Sequence, residues 1–297
     1  MPRVSALLGF LIVLASGLGG CAAPEDEDTP ADEAASADDA AWAATAEASI
    51  PASYARGKLH SDLDEDVVAN LRAVRASNRG DAKALVKVGD SITFSPGFLR
   101  CLGTVAVSDP ELEQTRTFFS RASWERQSLA STVGWHTWQP LEGSPSPLER
   151  EIDAMRPAYA VVMLGTNDTY AGSAPRFARD LRRVVDALVQ RGIVPVVSTI
   201  PHRASATANA AVPAMNSAVR SVAAAAKVPL VDYHLALEEV PGHGLSRDGV
   251  HPFSAGSSAC DFSANGNRGG YNVRNRVTLE ALDRVRRALG DGPLAGR

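Results

Sequence analysis

Two short polar motifs, far apart in the chain, carry the side chains of a nucleophile and a base. Ser91 follows a Gly-Asp pair after the apolar run 84–88, which predicts a serine at the turn from a buried strand into a helix. Far downstream, Asp248 and His251 stand three residues apart, a spacing at which one turn lets a carboxylate orient an imidazole. Because serine needs such a base to attack an ester carbonyl, these residues predict nucleophilic catalysis.

A third motif, Gly-Thr-Asn-Asp, follows a second apolar run at 158–164. Taken alone, Asn167 reads as an Asx-turn residue and Asp168 as a helix N-cap. Ligands of a parallel sheet bind beyond the carboxyl ends of its strands, and both Ser91 and Asn167 follow such ends. Together with the other two motifs, this placement favours catalysis for Asn167 and leaves Asp168 a structural role. Asp90, the neighbour of Ser91, is predicted to serve the turn or cap the helix.

The ordered set of motifs resembles the SGNH, or GDSL-like, hydrolases. The resemblance covers roughly residues 83–289. It implies that Ser91 is the nucleophile, that His251 is the general base and that Asp248 orients His251. No Gly-x-Ser-x-Gly motif is present in the sequence, which disfavours the α/β-hydrolase version of the same triad.

The resemblance also implies an oxyanion hole with three donors. They are the backbone N–H of Ser91, the side-chain amide of Asn167 and a glycine N–H, for which Gly134 in Thr-Val-Gly-Trp-His-Thr is the best match. The family often has an asparagine a few residues before this glycine, and residues 128–133 contain none.

Apolar runs alternate with helical patterns along the chain, which predicts a parallel sheet covered on both faces. The resemblance narrows this to a three-layer α/β/α, flavodoxin-like fold with a mainly parallel five-stranded sheet. The strand candidates are 84–88, 126–133 (a weak pattern), 158–164, 193–200 and 228–233. Helices are predicted at about 62–76, 147–155, 175–192, 213–226 and 277–289.

The N-terminal residues 1–20 are typical of a bacterial lipoprotein signal. Arg3 precedes an apolar stretch, and Leu18-Gly-Gly-Cys21 resembles a lipobox, which predicts acylation of Cys21. The alternative is an ordinary secretory signal cleaved near Ala22 or Ala23. Both interpretations predict export, to a bacterial cell envelope. No later stretch reaches the ~20 apolar residues of a membrane span, so the lipid would be the membrane contact.

Residues 21–55 form a predicted acidic tether, and residues 56–297 the hydrolase domain. Nine Asp or Glu and no Lys or Arg lie between Ala22 and Ile50, so this segment lacks the apolar surface needed to fold. The whole chain carries a net charge of −4, and the charges of the remainder are dispersed. The sequence therefore predicts no nucleic-acid partner, and it does not specify an oligomeric state.

Two cysteines remain once Cys21 is assigned to the anchor. Cys101 lies ten residues after Ser91, and Cys260 lies nine after His251. Because the triad brings these two segments together and an exported protein meets oxidising conditions, a disulfide is predicted. The alternative is a pair of buried free thiols.

No metal or other cofactor is predicted, because no His, Asp and Glu grouping has a metal-ligand spacing and no phosphate-binding glycine motif is present in the sequence. Trp124, Trp135 and Trp138 surround Gly134, where they serve either core packing or the stacking of a sugar. The Gly- and Asn-rich segment 257–276 is predicted to be either a rim or lid beside His251 or a plain surface insertion.

The sequence thus predicts an exported serine esterase that hydrolyses a small carboxylic ester through an acyl-enzyme. Its substrate would be a small ester or an acylated glycan, deacetylated by the enzyme. Two alternatives stay open: an acyl hydrolase of the lipase or phospholipase type, and a non-catalytic, lipid-anchored glycan-binding protein.

Overall fold

Four of the apolar runs form one parallel sheet in a computed structural model, which describes residues 53–171 and 173–292. The strands are β1 (Asp81–Gly89), β2 (Pro157–Met163), β3 (Val194–Ser198) and β4 (Leu230–Val231). They lie side by side in chain order, and each neighbouring pair is parallel. Most strand residues are buried, as expected for a sheet with helices on both faces. The predicted three-layer α/β/α fold is confirmed.

The helices of the described residues connect and flank these strands. In chain order they are α1 (Glu65–Ser77), α2 (Ser91–Phe94), α3 (Pro110–Phe118), α4 (Arg121–Glu125), α5 (Pro147–Met155), α6 (Asp168–Ala171), α7 (Ala174–Gln190), α8 (Ala206–Ala225), α9 (Tyr233–Ala236) and α10 (Gly270–Leu289). Helix α7 shows why the pattern predicted it: its apolar face, Phe177 to Leu188, is buried, and Ser173 caps its start.

The predicted fifth strand, 126–133, is wrong within the described residues. Only Ser131 forms a β-bridge there, parallel to Gly89 of β1. Side chains satisfy the backbone donors that a strand would offer its neighbour. Glu151 accepts from the N–H of Leu129 at 3.0 Å, and the Ser128 hydroxyl accepts from that of Ala130 at 3.1 Å. The sheet therefore has four strands.

Two helix starts also differ from the prediction. Pro213 favours the first turn of a helix, yet it lies inside α8, which begins after the N-cap Ser205. Helix α10 begins at Gly270, seven residues before the predicted start at Val277. Its first two turns lack an apolar pattern because their buried face is polar. Asn272 is buried and binds the carbonyl of Ser258, and Arg274 is buried and binds that of Ile92 in helix α2.

The carboxyl ends of all four strands meet at one edge of the sheet, as parallel pairing requires. Ser91 follows β1, Asn167 follows β2, His202 follows β3 and His234 follows β4. This edge therefore collects the polar side chains on which the chemistry depends.

Candidate active site

Ser91 is the first residue of helix α2, directly after the turn that ends β1. Asp90 caps this helix, since its Oδ1 accepts from the backbone N–H of Ile92 at 2.9 Å. Asp90 is fully buried and has the cap role predicted for it. Being in the first helical turn, the N–H of Ser91 has no acceptor within the helix, so it can bind an anion.

The side chains of Ser91, His251 and Asp248 form one hydrogen-bonded chain. Nε2 of His251 lies 2.8 Å from Oγ of Ser91, and Nδ1 lies 2.7 Å from Oδ2 of Asp248. Because a carboxylate only accepts, Nδ1 carries the proton and Nε2 is left to accept from the serine hydroxyl. The arrangement can transfer the serine proton to His251 during attack on a carbonyl.

The Asp248 side chain stabilises its own loop by accepting hydrogen bonds from groups within that loop. Oδ1 accepts from the N–H groups of Val250 and His251, both at 2.9 Å, and from the Ser246 hydroxyl at 2.8 Å. Gly249 has a φ of +68°, and a Cβ there would approach that of Ala204 to 2.4 Å, so the position requires glycine. The orientation of Asp248 toward His251 is thus built into the turn.

These same contacts set the charge of Asp248. Burial raises the pKa of the Asp248 carboxyl, but the hydrogen bonds from Val250, His251 and Ser246 together outweigh it and hold that pKa well below its usual range. The carboxylate therefore stays ionised at neutral pH, where it can orient His251 and stabilise the imidazolium.

Asn167 lies beyond the end of β2, and its amide nitrogen donates to the carbonyl of Trp135 at 2.8 Å. An amide has two N–H groups, so this bond fixes the orientation of the side chain and leaves the second N–H for a ligand. The next residue, Asp168, accepts from the N–H (3.2 Å) and the hydroxyl (3.0 Å) of Thr137. Asp168 is thus structural, but it opens helix α6 and holds a loop rather than capping the helix.

Gly134 stands in an exposed turn with a φ of +79°, and a Cβ there would meet no atom within 4 Å. The backbone conformation accounts for the glycine. The carbonyl of the next residue, Trp135, accepts the hydrogen bond from the Asn167 amide. This bond connects the segments of two predicted oxyanion donors, Gly134 and Asn167. The role of the Gly134 N–H as a donor stays a prediction.

Arg203 is a residue of this site that the sequence analysis missed. Its guanidinium is buried and donates to the carbonyl of Thr166 at 2.7 Å and to the hydroxyl of Tyr170 at 2.6 Å. The following N–H, that of Ala204, donates to the carbonyl of Gly249 at 2.9 Å. This segment therefore contacts both the Asn167 loop and the loop between Asp248 and His251. The one signal in the sequence that could have identified Arg203 as a site residue was its position just beyond β3.

Two residues of helix α10 bind helix α2, the helix that begins with Ser91. The Arg274 guanidinium and the Tyr271 hydroxyl both donate to the carbonyl of Ile92, at 2.9 and 3.2 Å. Arg274 also donates to the Thr93 hydroxyl and stacks on the Phe98 ring, 3.6 Å from its centroid. These contacts fix the turn that presents Ser91.

The tryptophans near Gly134 differ in burial. Trp124 is buried in the core and donates to the carbonyl of Arg116. Trp138 is 36% exposed, and so is Phe253, two residues after His251; Tyr170, three residues after Asn167, is 59% exposed. Exposed aromatic rings thus lie on three segments that carry site residues.

The structure contains a disulfide between Cys101 and Cys260. Asn275 reinforces the connection, since its amide donates to the carbonyls of Gly97 and Ala259 at 2.9 and 3.0 Å. Part of the segment 257–276 belongs to α10, and Asn272 binds the carbonyls of Ser258 and Asp261 in the remainder and that of Ala255 just before it. The segment is therefore tied to α10, and its role as a rim beside His251 stays a prediction. Cys21 lies outside the described residues.

In the described part of the chain, one group of side chains has the donor atoms of a metal site: His202, His234 and Glu238. It lies at the same edge of the sheet as Ser91 but uses none of the residues above. The same part of the chain contains no helix that is both long and apolar enough to cross a bilayer.

Residues 88–259 match the model of the GDSL-like lipase/acylhydrolase family. This match spans more than half of the chain, and the chain therefore belongs to that family. The protein is accordingly a hydrolase of the GDSL, or SGNH, acyl hydrolase class. No curated protein matches the chain.

Several solved structures are similar to the chain in overall shape. A GDSL-like lipase from Bacteroides thetaiotaomicron is 19% identical with a TM-score of 0.47, over 73% of this chain and 98% of that one. The lipase/acylhydrolase from Enterococcus faecalis is 19% identical with a TM-score of 0.45, over 68% and 95%. A catalytic mutant of an acetylxylan esterase from Geobacillus stearothermophilus is 16% identical with a TM-score of 0.46, over 69% and 96%.

Proposed function

We propose that the protein is a serine esterase that hydrolyses small carboxylic esters through an acyl-enzyme on Ser91. The observation that carries the proposal is the hydrogen-bonded chain from Ser91 through His251 to Asp248. Oγ of Ser91 attacks the ester carbonyl while Nε2 of His251 takes the hydroxyl proton. Asp248, ionised and held by its own turn, stabilises the imidazolium that forms.

The tetrahedral oxyanion would bind the N–H of Ser91, the free amide N–H of Asn167 and the N–H of Gly134. As the intermediate collapses, the C–O bond to the alcohol breaks and His251 returns its proton to the leaving oxygen. Water then enters and attacks the acyl carbon while His251 accepts one of its protons; the bond from the acyl carbon to Oγ of Ser91 breaks, His251 returns the proton to Oγ, and the carboxylic acid leaves. The two halves of the cycle use the same groups in reverse.

We propose that the substrate is an acetylated glycan. The exposed rings of Trp138, Tyr170 and Phe253 support this, because they lie on segments that carry site residues and exposed aromatic faces suit the stacking of sugar rings. The second candidate is a lipase-type acyl hydrolase, which the exposed aliphatic side chains of Leu129 and Val133 favour.

An ester panel separates these substrates. Purified enzyme is given p-nitrophenyl esters from acetate to laurate together with acetylated xylooligosaccharides, with Ser91→Ala as the control. The proposal expects kcat/KM to fall steadily with acyl length and acetate release from the sugar to require Ser91. Preference for long acyl chains would establish the lipase candidate. A glycan that binds without any turnover would establish the non-catalytic alternative.

We further propose that the protein is exported and anchored by a lipid on Cys21. The Leu-Gly-Gly-Cys motif and the acidic segment after it support this, since a charged tether separates a domain from a membrane surface. Cys21→Ser should move the enzyme from the membrane fraction to the soluble fraction with its specific activity unchanged. Unchanged membrane association in that variant would refute acylation at Cys21.

A further inference from the structure

Three donor side chains meet where β3 and β4 end. His202 follows β3, His234 belongs to helix α9 directly after β4, and Glu238 comes one turn later. Their donor atoms all lie within 4.8 Å of one another. Oε1 of Glu238 is 3.4 Å from Nε2 of His202 and 3.4 Å from Nε2 of His234.

Within the described residues, Nε2 of His202 is buried and has no hydrogen-bond partner. The His202 side chain is only 10% exposed. A buried polar atom without a partner destabilises a fold, and natural proteins satisfy nearly all such atoms with a protein group, water or an ion. The unpartnered nitrogen is aimed at the same region as the Glu238 carboxylate, and this points to a missing ligand.

The donor atoms are of the kinds that bind metals: two imidazole nitrogens and a carboxylate oxygen. Glu238 adds a negative charge and is 47% exposed, so the site has an access route from solvent.

The two donor spacings that involve Glu238 fit a tetrahedral ion. Zn²⁺ binds histidine nitrogen at about 2.0–2.1 Å and carboxylate oxygen at about 2.0–2.2 Å, which places neighbouring ligands of a tetrahedron roughly 3.3–3.5 Å apart. Both measured distances from Glu238 are 3.4 Å. The rings of His202 and His234 now stack with centroids 3.8 Å apart and planes 24° apart, so a shared ion would tilt their Nε2 atoms toward each other.

We propose that His202, His234 and Glu238 bind one divalent cation of the Zn²⁺ type, with water in the fourth position. Two imidazoles and a carboxylate are ligands that Zn²⁺ accepts readily. The ion would join the ends of β3 and β4. Because the N–H of Ala204, two residues after His202, holds the carbonyl of Gly249, the ion would also brace the loop of Asp248 and His251.

Titration of Zn²⁺ into the chelator-treated full chain, followed by calorimetry, tests the proposal without reference to esterase activity. We expect one ion per chain at this site and at least a tenfold loss of affinity in Glu238→Gln and in His202→Gln. His136→Gln is the matched control, because His136 also lies near a carboxylate, that of Asp168, at 3.8 Å, and it should bind as the wild type does.

Glu238→Gln changes a half-exposed side chain, so its folding is expected to be intact even if His202→Gln proves unstable. Melting in the presence of Zn²⁺ gives a second readout, because an ion that binds only the folded state raises the melting temperature. The wild type should respond and both variants should not. Absence of binding to the wild type, or wild-type affinity in Glu238→Gln, would overturn the proposal.

Discussion

Replacing Arg203 should slow the enzyme through Asn167, a residue to which Arg203 makes no hydrogen bond. The Arg203 guanidinium holds the carbonyl of Thr166 at 2.7 Å, and the next residue is Asn167. In Arg203→Met this carbonyl loses its charged donor and keeps only the Thr169 hydroxyl, at 2.7 Å, so the loop that carries the amide of Asn167 gains freedom. The oxyanion donor would then be present but less well placed.

The structure sets the size of the effect. A buried hydrogen bond from a charged donor contributes about 1.5–3 kcal/mol, and only part of this reaches the transition state. Loss of a whole oxyanion donor costs about 2.7–4 kcal/mol, which is the upper limit for any effect that acts through Asn167. We therefore expect kcat of Arg203→Met to fall about 10- to 100-fold with little change in KM.

A double-mutant cycle with Asn167→Ala measures the coupling. In the Asn167→Ala background, Arg203→Met should reduce kcat less than about threefold, because the group it positions is already gone. Arg191→Met is the control, since Arg191 forms an exposed pair with Glu149 and should leave kcat unchanged. Additive losses in the cycle would refute positioning through Asn167. Wild-type kcat in Asn167→Ala alone would refute the oxyanion role itself.

Three further predictions concern charge and stability. Burial lowers the pKa of His202 to about 4, so the unfolded chain binds an extra proton below about pH 6.5. His202 should therefore contribute about 2 kcal/mol to the decrease in the free energy of unfolding from pH 7 to pH 4.5 in urea titrations with chelator, and His202→Gln should remove that contribution; an unchanged pH dependence in this variant would contradict the assignment. Asp248→Asn should lower kcat about 10²- to 10⁴-fold at every pH, because the amide no longer holds His251 in the required tautomer; near-normal kcat at pH 8 would count against it. Reduction of the disulfide, whose cysteines are 159 residues apart, should lower the free energy of unfolding by up to about 5 kcal/mol, and the melting temperature with it. Activity should fall as well. A melting temperature unaffected by reductant would contradict this.

The sheet could be predicted because its strands are short, apolar and buried on both faces. The predicted fifth strand failed for a reason that no local pattern shows: Glu151, distant in sequence, takes the N–H of Leu129. Pro213 misled the placement of α8, since a proline usually opens a helix, and here the serine cap at Ser205 determines the start.

Some of the polar site residues could likewise be predicted from the sequence, and others could not. Asp248 and His251 are close in sequence, so their spacing predicted their contact; the strand ends placed Ser91 and Asn167 at one site, and the family resemblance assigned their roles. The role of Arg203 depends on how close the ends of β2 and β3 lie in space, which the local sequence does not show. The cluster of His202, His234 and Glu238 was not predicted for the same reason, although His234 and Glu238 are four residues apart in the sequence.

Covalent labelling of Ser91 tests the central proposal most directly. A fluorophosphonate reacts with a serine only when a base activates it, and the adduct can be located by peptide mapping after intact-mass analysis. We predict one adduct per chain, on Ser91, with much slower labelling in His251→Ala and none in Ser91→Ala. An unlabelled wild-type protein that still hydrolyses esters, or an adduct on a residue other than Ser91, would contradict the proposed mechanism.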